Sequence, residues 1–164
     1  MTDTPRFQIS RVVAAPRARA WDAWTRPEAL AQWFGPKGSK GAILAFDLRP
    51  GGEWRGRMEM EGGPPMYSKF VFREVEPLRR LVWVHGFADE QGNRTRAPFA
   101  ALFPLEMLTE VLFADEGEGT RIDLSWTPLD ASPEEEAFFA SMMASMEGGW
   151  SGSFEQLDAF LAEG

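Results

Sequence analysis

The sequence predicts an α+β fold: a curved antiparallel sheet of about seven strands around a long C-terminal helix, with two short helices after the first strand. Three observations predict it. Between residues 41 and 127, apolar segments are separated by strong turn signals, the pattern of strands joined by hairpins. From residue 138 to 161, apolar residues recur at steps of three and four, which is the period of a helix. Residues 15–36 carry two successive sets of helix start and stop signals.

The elements follow in order. Residues 7–14 alternate loosely and read as a strand. In APRARAWDAWT, Pro16 suits a first helical position because its φ is already helical, and Trp21 and Trp24 share a face. TRPEALAQWFGP offers a capping-box pairing of Thr25 with Glu28, apolar residues at Leu30, Trp33 and Phe34, and a Gly35-Pro36 stop. Four strands are expected next, GAILAFDL, EWRGRMEME, YSKFVFREVE and RLVWVHGF, separated by RPGG, GGPP and the tight PLR. After the irregular ADEQGNRTRAPFAALF, two more strands, PLEMLTEVLF and TRIDLSWT, flank DEGEG. Ser132 caps the last helix, Pro133 fits its first position, and Glu135 is placed to complete a capping box. The acidic triplet Glu134, Glu135 and Glu136 favours the positive end of the helix dipole. This helix is expected to run to the C-terminus.

Composition narrows the function classes. With 164 residues, 44% of them hydrophobic, and no change of composition that marks a linker, residues 1–164 are expected to form one domain around one core. The lack of cysteine excludes a disulfide framework, a thiol nucleophile and a thiolate metal site. The start, MTDTPRFQIS, lacks the apolar core of a signal peptide, and no apolar run approaches the roughly 18 residues of a membrane span. A soluble cytoplasmic protein is expected. Residues 1–103 hold 16 Lys/Arg against 11 Asp/Glu, whereas residues 104–164 hold Arg121 alone against 14 Asp/Glu. Nucleic-acid binding needs a basic stripe, and the scattered arginines of the first part do not form one. The acidic third reads as a solvated face or as an electrostatic docking surface.

Candidate site residues come from matching the helix stripe to the inner faces of the strands. Phe139, Met143, Met146, Trp150, Phe154, Leu157 and Leu161 share one stripe that faces the sheet. Its C-terminal half reads as a core seam. Met142, Met143 and Met146 beside a glycine pair suit a wall that conforms to variable apolar shapes, because thioethers are flexible and polarisable. Alternation puts Trp54, Met58 and Met60, Phe70 and Phe72, Leu81, Trp83 and His85, Met107, and Leu124 and Trp126 on the inner faces. The result is a packed core or a cavity. The residues expected to hold a ligand there are Trp54, Met58, Phe70, Phe72, Trp83, His85, Met107, Trp126, Phe139, Met143, Met146 and Trp150.

The same helix carries Gly148, Gly149 and Gly152, each of which costs about 0.5–1 kcal/mol relative to alanine. Gly149 lies at the edge of the buried stripe, so its missing side chain is expected to let the helix approach the sheet or the short helices, or to leave space for a ligand beside Trp150. Gly148 and Gly152 would give the helix a place to bend.

His85 is the only histidine and shares the face of Leu81 and Trp83. It reads as a hydrogen-bonded core or rim group, as a polar anchor for a ligand, or as an acid–base group near neutral pH. One histidine without an HExxH pattern does not make a zinc site, so no metal and no cofactor is expected. Glu106 and Glu110 lie opposite Met107, on an outer face if alternation holds. Were that strand inverted, they would form a carboxylate pair inside the cavity, a route to acid–base catalysis beside His85. Tyr67 reads as a packing residue at a strand start. RPGGEW, EGGPP and DEGEGT sit between strands, so they read as hairpin turns rather than phosphate cradles.

The segments APRARAWDAWTRPEALAQWFGP, DLRPGGEW, REVEPLRRLVW and GTRIDLSWT, with GGW on the final helix, resemble in this order the Hsp90 ATPase activator homologue family. That family belongs to the START-like helix-grip superfamily, also called SRPBCC, and the resemblance covers nearly the whole chain. It implies the helix-grip fold. For function it implies a scaffold that carries lipid binding, polyketide cyclisation, antibiotic sequestration and co-chaperone activity. It also implies an Hsp90-type chaperone as a partner, although the eukaryotic co-chaperone has a further N-terminal domain that engages Hsp90, whereas this chain starts at the helix-grip domain. His85 departs from the family, where that position is more often aromatic, usually tryptophan. Residues and resemblance together point to reversible binding of a small apolar or aromatic molecule without covalent catalysis. A cyclase or hydrolase using His85 with a carboxylate is the first alternative, and a co-chaperone-like interaction module is the second. A homodimer is compatible with each.

Overall fold

The computed structural model describes residues 4–35, 38–98 and 100–163. In chain order the elements are β1 (Phe7–Val13), α1 (Arg17–Thr25), α2 (Pro27–Trp33), β2 (Ser39–Phe46), β3 (Glu53–Met60), β4 (Met66–Glu76), β5 (Arg80–Ala88), β6 (Glu106–Glu116), β7 (Gly119–Leu129), α3 (Pro133–Ser141) and α4 (Met143–Ala162). The seven strands form one antiparallel sheet in the order β1-β7-β6-β5-β4-β3-β2. Strands β2 to β7 are therefore sequence neighbours in the sheet, and β1 closes the far edge by pairing Phe7 with Trp126 and Val13 with Thr120. This is the helix-grip arrangement, with α4 held against the inner face. No described helix is long and apolar enough to cross a membrane.

The turns set the register. Glu116 pairs with Gly119, which leaves a two-residue loop whose Gly117 adopts φ 61°, a conformation glycine enters without a Cβ clash. Between β4 and β5, Leu78 adopts φ 68° in the tight PLR turn, an unusual position for a branched side chain. On β3 to β7 the inward set is the one that alternation indicates, apart from Met60, which is 40% exposed. Trp54, Phe70, Phe72, Leu81, Trp83, Met107 and Leu124 are buried, and Trp126 packs against them.

Three local expectations are corrected. Thr25 and Glu28 form no capping box: Arg26 is the N-cap of α2 and receives no side-chain cap, because the Thr25 hydroxyl donates instead to the Trp21 carbonyl at 2.8 Å. Pro16 sits one position earlier than expected, as the N-cap of α1. The final helix is two helices. Ser132 and Glu135 form the expected capping box on α3, but the chain breaks at Met142, which has ψ 1° and donates its N–H to the Phe139 carbonyl at 3.0 Å. No glycine or proline marks that break. Helix α4 then runs unbroken through Gly148, Gly149 and Gly152, so the interruption lies ahead of the glycines rather than at them.

The short helices are fastened to α4. Trp24 stacks on Trp150 with ring centroids 6.1 Å apart and planes 11° apart. The Gly35 carbonyl, just beyond α2, accepts from Ser153 Oγ at 2.7 Å and from Gln156 Nε2 at 2.8 Å. Gln156 also reaches the Trp33 carbonyl at 3.0 Å. Polar side chains of α4 thus satisfy the carbonyls that α2 leaves open at its end.

Candidate functional site

Between α4 and the inner face of the sheet lies a cavity of about 250 Å³. An apolar cavity of about 150 Å³ holds one benzene ring, so this volume suits a molecule of one or two rings. The sheet contributes Trp54, Gly56 and Met58 from β3, Ser68 and Phe70 from β4, Trp83, His85 and Phe87 from β5, and Trp126 from β7. Helix α4 contributes Met146, Gly149, Trp150 and Ser153. Leu30, Ala31, Phe34 and Gly35, with Gly41, Ala42 and Ile43, complete the wall. Of the lining residues, Gly41, Arg57 and Gly149 are the exposed ones.

The walls are aromatic and tightly interlocked. Trp54 and Phe70 stack at 3.9 Å with planes 14° apart. Phe34 and Trp126 meet Trp150 edge-on at 5.7 and 5.9 Å. Such contacts fix ring orientation through the ring quadrupoles, so the wall is largely preformed. The hollow itself comes from missing side chains. Gly56 points inward between Trp54 and Met58, where a Cβ would meet only Ala42 O at 3.7 Å and Trp54 Nε1 at 3.9 Å. A Cβ on Gly149 would meet nothing within 4 Å, so close approach of the helix is not its role.

Eight of the twelve expected ligand residues line this cavity: Trp54, Met58, Phe70, Trp83, His85, Trp126, Met146 and Trp150. Four do not. Phe72 is fully buried among Phe46, Trp54 and Trp83, and Met107 is 2% exposed within the core. Phe139 belongs to α3, beyond the break, and is fully buried. Met143, the first residue of α4, is half-buried on the core cluster, and Met60 is 40% exposed at the end of β3. Among the lining residues that sequence reasoning missed are Leu30, Phe34, Ile43, Ser68 and Phe87, and the glycines 41 and 56. Gly56 carried a signal, an inward position between Trp54 and Met58. Leu30 and Phe34 carried none beyond apolar character.

The sequence profile of the family described as Activator of Hsp90 ATPase homolog 1-like protein matches residues 14–162. The chain belongs to this family. Three solved structures share its architecture over at least 91% of their length. A protein from Arthrobacter aurescens superposes with a TM-score of 0.80 at 25% identity, covering 100% of this chain and 91% of that one. One from Mycobacterium smegmatis gives 0.78 at 26% identity, covering 98% and 96%. An AHSA1 protein from Silicibacter pomeroyi gives 0.73 at 21% identity, covering 96% and 98%, and so shares the fold. Among curated proteins, none matches the sequence.

In this member of the Hsp90 ATPase activator homolog family, His85 sits deep in the cavity wall. Its ring stacks on Phe70 at 5.2 Å with planes 15° apart and tilts against Trp126 at 5.1 Å. Nδ1 lies 3.1 Å from the Thr109 hydroxyl. Burial pushes its pKa down to about 3, and the Arg94 guanidinium adds to the effect, so the imidazole is neutral near pH 7. The carboxylates that might have paired with it point the other way. Glu106 pairs with Arg94 at 3.2 Å and Glu110 with Arg80 at 2.7 Å, both on the outer face of β6. Among the described residues no carboxylate lines the cavity, and no cluster of three or more potential metal ligands occurs. Tyr67 also faces outward, donating to Glu90 at 3.3 Å.

Proposed function

We propose that this chain reversibly binds a small apolar or aromatic molecule in the cavity between α4 and the sheet, as a single cytoplasmic domain and without forming a covalent intermediate. The supporting observation is a preformed hollow of about 250 Å³ whose walls are mainly tryptophan, phenylalanine and methionine, with the exposed Gly149 at its edge. Such a surface gains free energy by burying apolar area, about 25 cal/mol for each Å² removed from water. Its size fits one or two rings or a short acyl chain, rather than a whole lipid. The cyclase or hydrolase alternative lacks its second group, because Glu106 and Glu110 are engaged by arginines outside the cavity.

Fluorescence titration with a naphthalene sulfonate, alongside native mass spectrometry of freshly purified protein, tests the proposal. Stoichiometric binding that Met146→Lys weakens is expected, since Met146 lines the cavity. A folded protein that binds no apolar probe would refute it. The family's description supports a second reading, stimulation of an Hsp90-type ATPase, which predicts saturable activation of such an ATPase by the purified chain.

A further inference from the structure

The polar side chains of the cavity wall are few: His85, Ser68, Ser153 and Arg57, with the indole N–H groups of Trp54, Trp83, Trp126 and Trp150. Thr109 is fully buried, and its hydroxyl has no partner among the described residues other than His85 Nδ1, at 3.1 Å. A buried hydroxyl that accepted from Nδ1–H would leave its own proton unpaired, so the hydroxyl donates and Nδ1 accepts. A neutral imidazole then carries its proton on Nε2. That nitrogen has no hydrogen-bond partner among the described residues, yet it is absent from the polar atoms that packing seals off. His85 lines the cavity, so Nε2–H is a polar hydrogen available there, beside the half-buried Ser68 hydroxyl, which can donate or accept. The other unpaired polar hydrogens in the wall, on the indoles of Trp54, Trp83 and Trp126, are enclosed donors of the same sign. Ser153 already donates to the Gly35 carbonyl, and Arg57, an exposed lining residue, is a cation. No carboxylate or amide side chain among the lining residues accepts a proton.

We propose that His85, fixed as a donor by Thr109 and clamped between Phe70 and Trp126, selects a planar one- or two-ring ligand that carries a carbonyl-type acceptor oxygen. The inference rests on the cavity-binding reading and specifies its ligand. His85 here is a binding group, not a base: its one basic nitrogen is occupied by the Thr109 hydroxyl. Thr109 is a positioning residue. A ligand presenting an ammonium group at the same point would set donor against donor and be rejected.

The test uses a matched pair of probes, 2-acetylnaphthalene and 2-isopropenylnaphthalene, which share a shape and differ in the acceptor oxygen. The ketone should bind about tenfold more tightly, the worth of one hydrogen bond in a dry site. His85→Phe, which keeps the stacking, should equalise the two. Thr109→Val should shrink the preference while leaving the hydrocarbon's affinity in place. Nitrogen-15 NMR of the wild-type imidazole reads the tautomer without any substitution, and a proton on Nε2 is expected. A proton on Nδ1, equal affinities for the two probes, or a preference that survives His85→Phe overturns the proposal. Binding of neither probe to the folded protein would overturn the cavity-binding reading and this one with it, whereas equal binding of both removes only the acceptor selectivity.

Discussion

Acidification should destabilise the protein through His85 alone by an amount that can be measured. Above the unfolded value of about 6.5, the imidazole is neutral in both states and contributes no pH dependence. Between about 6.5 and the folded value of about 3, the unfolded chain takes up a proton that the folded site refuses, so stability falls as pH falls. Below about 3 both states are protonated and the slope ends. The loss approaches about 1.4 kcal/mol per pH unit within the window, and about 4 to 5 kcal/mol across all of it, a large part of a typical domain's stability. Asp89, held low by N–H donors led by Asn93, and Glu135, held low by the Ser132 N–H and Arg96, add losses of the same sign at lower pH. Those are common to wild type and variant. Urea denaturation of wild type and His85→Phe at pH 7, 6, 5 and 4 isolates the histidine. The variant loses the Thr109 hydrogen bond at every pH, which shifts its curve by a constant and leaves the slope untouched. Parallel decline of the two proteins from pH 6.5 to 4 would show that His85 is solvated, and would remove it from the cavity wall.

Three further outcomes can be checked with the same protein. Gly148→Ala and Gly149→Ala should each stabilise by about 0.5–1 kcal/mol in chemical denaturation with probe binding retained, because a Cβ at either position meets nothing within 4 Å. Gly56→Leu should abolish naphthalene-probe binding while the circular dichroism spectrum is unchanged, since the new side chain grows into the hollow. Leu78→Gly should raise the unfolding free energy by up to about 1 kcal/mol in the same denaturation assay, by relieving a left-handed residue that is 37% exposed and has little packing to lose.

What was legible in the sequence followed from periodicity. Alternation with clear turn chemistry gave the strand phases, and with them the inward positions of Trp54, Phe70, Trp83, His85 and Trp126. Periodicity says which face a residue is on, but not how far along the sheet the packing stops. Phe70 and Phe72 share a face of β4, yet only Phe70 lines the cavity. Near Phe72 the space is filled by Phe46, while α1 brings Trp21 and Trp24 onto Phe113. Those contacts join residues distant in sequence and leave no local pattern. The break at Met142 was illegible for a similar reason, since neither glycine nor proline marks it. Thr109 was passed over because a threonine in a strand is ordinary, and only the cross-sheet distance to His85 gives it a role.

The glycines of α4 can now be explained by position. Together Gly148 and Gly149 weaken the helix by about 1 to 2 kcal/mol relative to alanine. Met146, Trp150, Phe154, Leu157 and Leu161 offset that cost, since all are buried and each such side chain contributes about 1.5 to 3 kcal/mol. The pair lies within that stretch, between Met146 and Trp150, where the helix passes over the cavity. A methyl group fits there, so backbone clearance does not explain the choice of glycine. A large side chain at position 149 would instead lie at the edge of the cavity, beside Trp150. The sharper substitution is therefore Gly149→Trp. Its indole, rooted at the exposed edge of α4, should slow probe association and dissociation together if the ligand enters past position 149, and leave both unchanged if the ligand enters elsewhere. Stopped-flow fluorescence separates the two. Unchanged rates in a folded Gly149→Trp variant would refute entry past Gly149.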